Sequence, residues 1–225
     1  MAGSSLSDAW TAAGEMIKMP LPLSPLDRDW LTGRLDQSDE NGADTSRGDH
    51  ILNPGTRPSN PLTPAAVLVP LVAHVDTTTV LLTRRTEHMS KHPGQVSFPG
   101  GHIEPDDGSP EETALRETEE ETGLHRKHVE LVGKLDDYET GTGFRITPIV
   151  GIVTPPFDLV PDPHEVAEVF EVPLAFLLDP SNHQRHSRVH NGKDRQFFAM
   201  PYNDHFIWGA TAGMLVNLYE ALKNP

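Results

Sequence analysis

The sequence predicts an α/β (α+β) fold, an α/β/α sandwich with a mixed central sheet. Three observations carry that expectation. Apolar or alternating runs of strand length recur through residues 64–202. Two segments, 110–122 and 210–222, have helical spacing instead. Strand-like runs fall on both sides of the first of these segments in the chain, so helices must cover a sheet assembled from both flanks.

Bulk properties narrow the function. A chain of 225 residues suits one domain with an appendage, and 21 Pro and 18 Gly with 36% hydrophobic content suit a loop-rich globular protein. No apolar run approaches the ~18 residues of a membrane span, so no membrane partner is expected. The first residues lack a basic segment leading into an apolar one, so no signal peptide is expected. The absence of cysteine excludes disulfides, thiolate metal sites and a Cys nucleophile, and fits a cytoplasmic protein. A formal charge of −15 argues against sequence-independent nucleic-acid binding, which needs Lys and Arg to neutralise phosphates. A small phosphorylated ligand remains compatible if metal ions and a local basic patch offset the repulsion.

In chain order, Met1–Met19 has weak amphipathic spacing, and PLPLSPLDRDW breaks any long continuation. Leu26–Leu35 reads as a short helix that packs Trp30 and Leu31 on the body. Gln37–Asn60, rich in Ser, Asp, Asn, Gly and Pro, reads as a flexible linker, with Asp39, Glu40 and Asp44 as solvated charges. The expected division is therefore an extension over 1–60 and the main domain over 61–225. AAVLVPLVAH is a buried strand joined to TTTVLLTRR by a tight turn at Asp76–Thr77. His88–Gln95 is a loop, and VSFPGG a short extended piece. VELVGKLDDYE, FRITPIVGIVT and VAEVFEVPL are strands, Pro173–Leu178 a helical turn, HSRVH with RQFFAMPY a hairpin, and Ala210–Leu222 a closing helix.

The chemistry concentrates in GGHIEPDDGSPEETALRETEEETGL, residues 100–124. Ser109 reads as N-cap, Pro110 as the first helical residue, Glu112 as capping-box partner and Gly123 as a left-handed C-cap. Glu117, Glu120 and Glu121 have i, i+3 and i+4 spacing, so their carboxylates share one face and repel. Hard oxygen donors of this kind suit Mg²⁺ or Mn²⁺, although such a run is more often a solvated face. Gly100 and Gly101 let backbone approach a ligand closely. Arg116 precedes Glu120 by four residues and can hold a carboxylate. Ala114 and Leu115 dock the helix on the sheet.

The set Gly101, Arg116, Glu117, Glu120, Glu121, Gly123 and Leu124 resembles the Nudix box of the Nudix hydrolases. Fourteen residues separate Gly101 from Arg116, one more than in the general box, and Thr118 stands where an apolar residue is usual. The early acid of the box then falls among Asp106, Asp107 and Glu111. Upstream, LLTRRTEHMSKHPGQVSFPGG (81–101) is similar to the extra motif of the coenzyme A diphosphatase branch, matching at Leu81, Leu82, Thr83, Arg85, Gly94, Phe98, Pro99, Gly100 and Gly101. Thr86 replaces a serine and Ser90 replaces an arginine, with Lys91 beside it. That branch also has the extra loop residue. RITPIVG, the 165–174 segment and FIWGATAG resemble its later parts.

The resemblance implies a Nudix-like sandwich and metal-dependent hydrolysis of coenzyme A or acyl-CoA to adenosine 3′,5′-bisphosphate and 4′-phosphopantetheine. It implies Glu117, Glu120 and Glu121 as ligands of Mg²⁺ or Mn²⁺, Arg116 as their support, and Glu117 or Glu165 as acceptor of a proton from water. It implies a role for Arg85 in recognising the coenzyme A phosphates; the bland alternative for Arg85 is pairing with a nearby acid. Arg84, Arg85 and Lys91 read from the residues as one basic cluster before the box, with Arg84 and Lys91 open to substrate contact or a solvated strand end, and Gly100 and Gly101 on the substrate side. His88 and His92 read as exposed and Phe98 as core. Two other readings stay open: a Nudix enzyme for ADP-ribose, NADH or a nucleoside triphosphate, and a Nudix-fold binding protein without turnover. Residues 1–60 are open to covering a hydrophobic face, joining a homodimer interface, or having no fixed structure.

Overall fold

A computed structural model describes residues 26–35, 46–58, 61–89, 92–190 and 192–223. Its longest strands, β2 (Thr63–Ala73) and β8 (Phe144–Val153), pair in parallel from Thr63↔Phe144 to Val72↔Val153. They form the centre of a mixed sheet of nine strands. β2 turns into antiparallel β3 (Thr78–Arg85) with Ala73 opposite Thr78. β3 then pairs with β4 (Val96–Ser97) and β9 (Val166–Pro173). β5 (Gly100–His102) returns to the first half of β2, with Gly100 opposite Val67. On the other flank β6 (Val129–Lys134) and β7 (Tyr138–Glu139) both pair with β8.

Strand alternation sorts β2 side chains into two cores. Val67, Val69 and Leu71 join Leu215, Leu218 and Leu222 of α5 (Ala210–Lys223) and Leu31 and Leu35 of α1 (Arg28–Leu35). Ala66 and Leu68 face the other way, onto Ala114 of α3 (Pro110–Thr122). Beyond α3, Leu124 is buried with Val72, Leu81 and Val153. Helices therefore cover both faces, which is the expected sandwich. After β9 and one helical turn, α4 (Leu174–Leu177), a second sheet follows: β10 (Gln184–His190), β11 (Lys193–Tyr202) and β12 (His205–Trp208), all antiparallel. It sends Met200 and Ile207 into the larger core. Among the described residues no helix is long and apolar enough to cross a membrane.

Two expectations need correction. VELVGKLDDYE is two strands, β6 and β7, broken at 135–137. The expected linker is, over 46–58, tied to the sheet. Arg47–Gly48 forms β1, parallel to β7, and runs into α2 (Asp49–Leu52). Arg57 grips the buried Glu139 carboxylate with two bonds, Nε to Oε2 at 2.7 Å and Nη2 to Oε1 at 3.0 Å. Asp49 accepts from the Tyr138 hydroxyl at 2.8 Å and the Gly141 N–H at 2.7 Å. Asn53 bonds both backbone groups of Gln196, at 2.8 and 2.9 Å, as a neighbouring strand would. Polar anchors rather than apolar burial order this stretch, and composition alone does not reveal them. The amphipathic segment before Met19, the acidic stretch 37–45 and residues 59–60 lie outside the described residues.

Candidate active site

α3 carries the acidic face, and its ends are fixed locally. Ser109 has an extended backbone and its side chain accepts the Glu112 N–H at 3.3 Å. Glu112 does not complete a reciprocal box; its carboxylate accepts from Arg126 Nη1 at 3.0 Å. Gly123 is left-handed, with φ 73°, and its N–H donates to Glu119 O at 2.9 Å. Thr118 is buried with its hydroxyl satisfied, donating to Ala114 O at 2.6 Å. That accounts for a threonine on the apolar side of the helix.

Two turns of this helix lie over the β5 glycines. Glu121 is 6% exposed and accepts the Gly100 N–H at 3.2 Å. Gly100 has φ 151°, and a Cβ there would stand 2.4 Å from Ala66 O, so the close approach of β5 to β2 requires glycine. A Cβ on Gly101 would stand 2.4 Å from Glu117 Oε1, so the Glu117 carboxylate lies directly against that backbone. Arg85 Nη1 is 3.8 Å from Glu121 Oε1. Burial pushes the Glu121 carboxyl up to about 8, despite the Gly100 N–H and Arg85, and the charges of Glu117 and Glu165 push it the same way. Burial also raises Glu117, with Glu120 and Glu165 adding to the shift and Arg116 opposing it.

Arg116 is the hub beside these carboxylates. Its Nε and Nη2 fork onto Asp107 Oδ1 and Oδ2 at 2.9 and 3.0 Å, and Nη2 also donates to His102 O at 3.3 Å. Its Nη1 meets Glu117 Oε1 at 3.0 Å and Glu120 Oε2 at 3.1 Å. Asp107 accepts further bonds from Thr113 Oγ1 and the Glu104 N–H. The Arg116 fork, joined by the Glu104 and Thr113 bonds, holds the Asp107 carboxyl well below the usual carboxylate range. Of the three acids open for the early position, Asp107 is the one that meets Arg116. Thr113 was not singled out from sequence; its place one helical turn before Arg116 was the available signal.

The oxygen-only donor set of Glu117, Glu120, Glu121 and Glu165 suits a hard divalent cation. Burial raises Glu117 and Glu121 first and neighbouring negative charge adds to it, so a cation placed among these carboxylates would favour their charged forms. Among the described residues no three acidic or His side chains already stand at metal-ligand spacing. Arg116 engages one oxygen each of Glu117 and Glu120.

The other expected residues divide. Glu165 sits in the turn before β9, its N–H bonded to Asp162 O and its carbonyl accepting from the Thr86 N–H. It is exposed and electrostatically coupled to Glu117 and Glu121. Arg84 and Arg85 do not form one basic cluster. Arg84 pairs across the sheet with Glu168, Nε to Oε2 at 3.1 Å, on the face of Val80 and Leu82 that α5 covers. Arg85 turns toward α3, because neighbouring strand residues point to opposite faces. Lys91 and Ser90 lie outside the described residues. Phe98 is buried in the larger core, as expected.

Residues 62–192 match the model of the NUDIX domain. The chain is 42% identical over 154 residues to a protein named uncharacterized Nudix hydrolase NudL from Enterobacter sp. (strain 638), covering 68% of this chain and 80% of that one. It is 41% identical over 159 residues to the protein of the same name from Yersinia enterocolitica, covering 71% and 81%. Among solved structures, a C. elegans Ap4A hydrolase binary complex aligns at 20% identity and TM-score 0.44, covering 49% of this chain and 80% of that one. On the domain match and the relatives at about two-fifths identity, the chain belongs to the Nudix hydrolase family.

Proposed function

We propose that this Nudix hydrolase is a coenzyme A diphosphatase that also accepts acyl-CoA, releasing adenosine 3′,5′-bisphosphate and 4′-phosphopantetheine. The observation that carries the reading is the 81–101 stretch, whose Arg85 approaches Glu121 and whose Gly100 and Gly101 lie under Glu121 and Glu117. That the stretch resembling a CoA-recognition motif adjoins the acidic helix supports this reading. Glu117, Glu120 and Glu121 would hold Mg²⁺ or Mn²⁺. When bound, such an ion supplies positive charge to the diphosphate oxygens and makes a nearby water more acidic.

In this reading the chain's own groups do the rest. Asp107 fixes the Arg116 guanidinium, which keeps Glu117 and Glu120 on the site side of α3. Arg85, which is within 3.8 Å of Glu121 but not hydrogen-bonded to it, would fork onto phosphate and offset part of the charge that the −15 chain sets against the ligand. Glu117 or Glu165 accepts the proton as water attacks phosphorus, and burial favours Glu117 for that role by lifting its proton affinity. Water forms the new bond to phosphorus as the bridging P–O bond breaks and the other phosphate leaves, so no covalent protein intermediate is needed. The acyl group of acyl-CoA is remote from the diphosphate and imposes no demand on these residues.

The test is a panel of CoA, ADP-ribose, NADH and dATP with Mg²⁺ or Mn²⁺ and chromatographic resolution of the products. CoA is expected to give adenosine 3′,5′-bisphosphate and 4′-phosphopantetheine at the highest kcat/KM. Faster turnover of another member of the panel would move the assignment to that substrate. Binding without turnover of any would make the chain a nucleotide-binding protein.

A further inference from the structure

The β10–β12 sheet has two faces of different character. One sends Phe198, Met200 and Ile207 into the main core. The register places His186 opposite Phe197 and Arg188 opposite Arg195 on the other face, with Phe206 and Trp208 on the adjoining strand. The aromatic groups form a connected panel: His186 stacks near Phe197 at 5.9 Å, Phe197 meets Trp208 edge-on at 5.2 Å, and Phe206 lies 6.5 Å from Trp208. Phe206 is 45% exposed, His186 and Arg188 are exposed, and Phe197, Trp208 and Arg195 are half-buried.

The arginines set this panel apart. Like charges directly opposite one another destabilise an antiparallel pair, yet Arg188 and Arg195 face each other, and among the described residues neither makes an ion pair. Lys193 adds positive charge to the same face, whereas Asp194 and Arg185 lie on the opposite one. In a chain of net charge −15 this is a local reversal of sign. Aromatic and Arg side chains together on a partly exposed surface are the residue types that anchor protein interfaces.

We propose that this outer face of β10–β12 docks an acidic segment of a partner polypeptide, its carboxylates on the Arg188–Arg195 pair and its apolar side chains on the Phe197–Phe206–Trp208 panel. Charge complementarity selects that occupant. A second copy meeting this face symmetrically would bring four guanidinium groups together. A nucleic acid needs a continuous basic track, which one hairpin face does not supply. The surface is built from residues outside the acidic helix and its neighbours, so the inference does not depend on the substrate assignment.

The probes are fluorescein-labelled ten-residue peptides alternating Glu with Phe or Leu, Glu with Ser, and Lys with Phe, together with a dT12 oligonucleotide. Each is titrated by anisotropy against the full chain and against an R188Q/R195Q double variant. Binding of the Glu/Phe or Glu/Leu peptide, at least tenfold weaker in the double variant and in Phe206→Ser, is expected, as is little binding of the Glu/Ser and Lys/Phe peptides. Hydrolase turnover and the folded circular-dichroism spectrum should be unchanged in these variants, which separates docking from misfolding. Equal affinity for Glu/Phe and Lys/Phe peptides, or no effect of the double variant, would overturn the proposal. So would tighter binding of dT12 than of any peptide, or self-association in sedimentation that the double variant abolishes.

Discussion

Glu121 shows how one carboxylate can be set against its own surroundings. It is buried among negative neighbours, relieved among the described residues by the Gly100 N–H and by the Arg85 guanidinium 3.8 Å away. Its proton affinity in the folded chain is raised to about 8, above its ordinary value near 4.5. Between those two values the folded state binds the proton more tightly than the unfolded state, so stability falls as pH rises through that window. With divalent ions chelated by EDTA, the melting temperature should decline from pH 5 to pH 8, and Glu121→Gln should flatten that decline. Differential scanning fluorimetry of both proteins reads it; parallel slopes would remove Glu121 as the cause. Asp107 has the opposite bias, since its fork with Arg116 stabilises the charged form. The spacing of the glutamates and the identity of Arg116 were legible in sequence because they lie within one helix. Which acid meets Arg116 was not, because it depends on the path of the loop at 103–109.

At the scale of elements, α3 follows its local signals nearly residue for residue. Ser109 caps it and Gly123 ends it, because both act on the nearest turns and need no distant partner. The two caps should nevertheless differ in cost. Ser109→Ala removes one side-chain bond and should lower stability by about 1 kcal/mol. Gly123→Ala forces a non-glycine residue to φ 73° and drives a Cβ to 2.6 Å from Val160 N. Its cost should exceed that of Ser109→Ala, within about 1–3 kcal/mol. Urea titration compares the two, and a cheaper Gly123→Ala would contradict the packing of the 154–165 loop on the end of the helix. Strand faces were less legible. Arg84 and Arg85 looked like one basic cluster, although the two-residue strand period already assigns them to opposite faces.

For the whole molecule, the segment 46–58 changes what counts as the domain. Its anchors reach Glu139 and Tyr138 on β7 and Gln196 on β11, so it joins the central sheet to the smaller one. Glu139 is 2% exposed, and the Arg57 fork, against burial, holds its carboxyl below the usual range. Arg57→Ala would leave that buried carboxylate with the longer 3.4 Å contact to Arg145 and a 3.9 Å approach from His50. A loss of about 1–3 kcal/mol is expected, measured by denaturant unfolding, whereas a loss within error would make the strap an ornament of the surface. This part of the fold escaped sequence reading because two-residue β1 has no periodicity and its stabilising bonds join positions far apart in the chain. The central strands, the closing helix and the late hairpin were legible because each carries its own apolar pattern.

The connection between β5 and α3 is held at both ends. Gly100 is tied to Glu121, while Asp107 is tied to Arg116 and to the Glu104 N–H. Between Asp107 and the Ser109 cap stands Gly108, around whose missing Cβ nothing lies within 4 Å. The acidic face is thus registered against the glycines by side-chain bonds rather than by the number of residues between them. The loop works as a slack joint: an added residue bulges into solvent at Gly108 and leaves the carboxylates where they were.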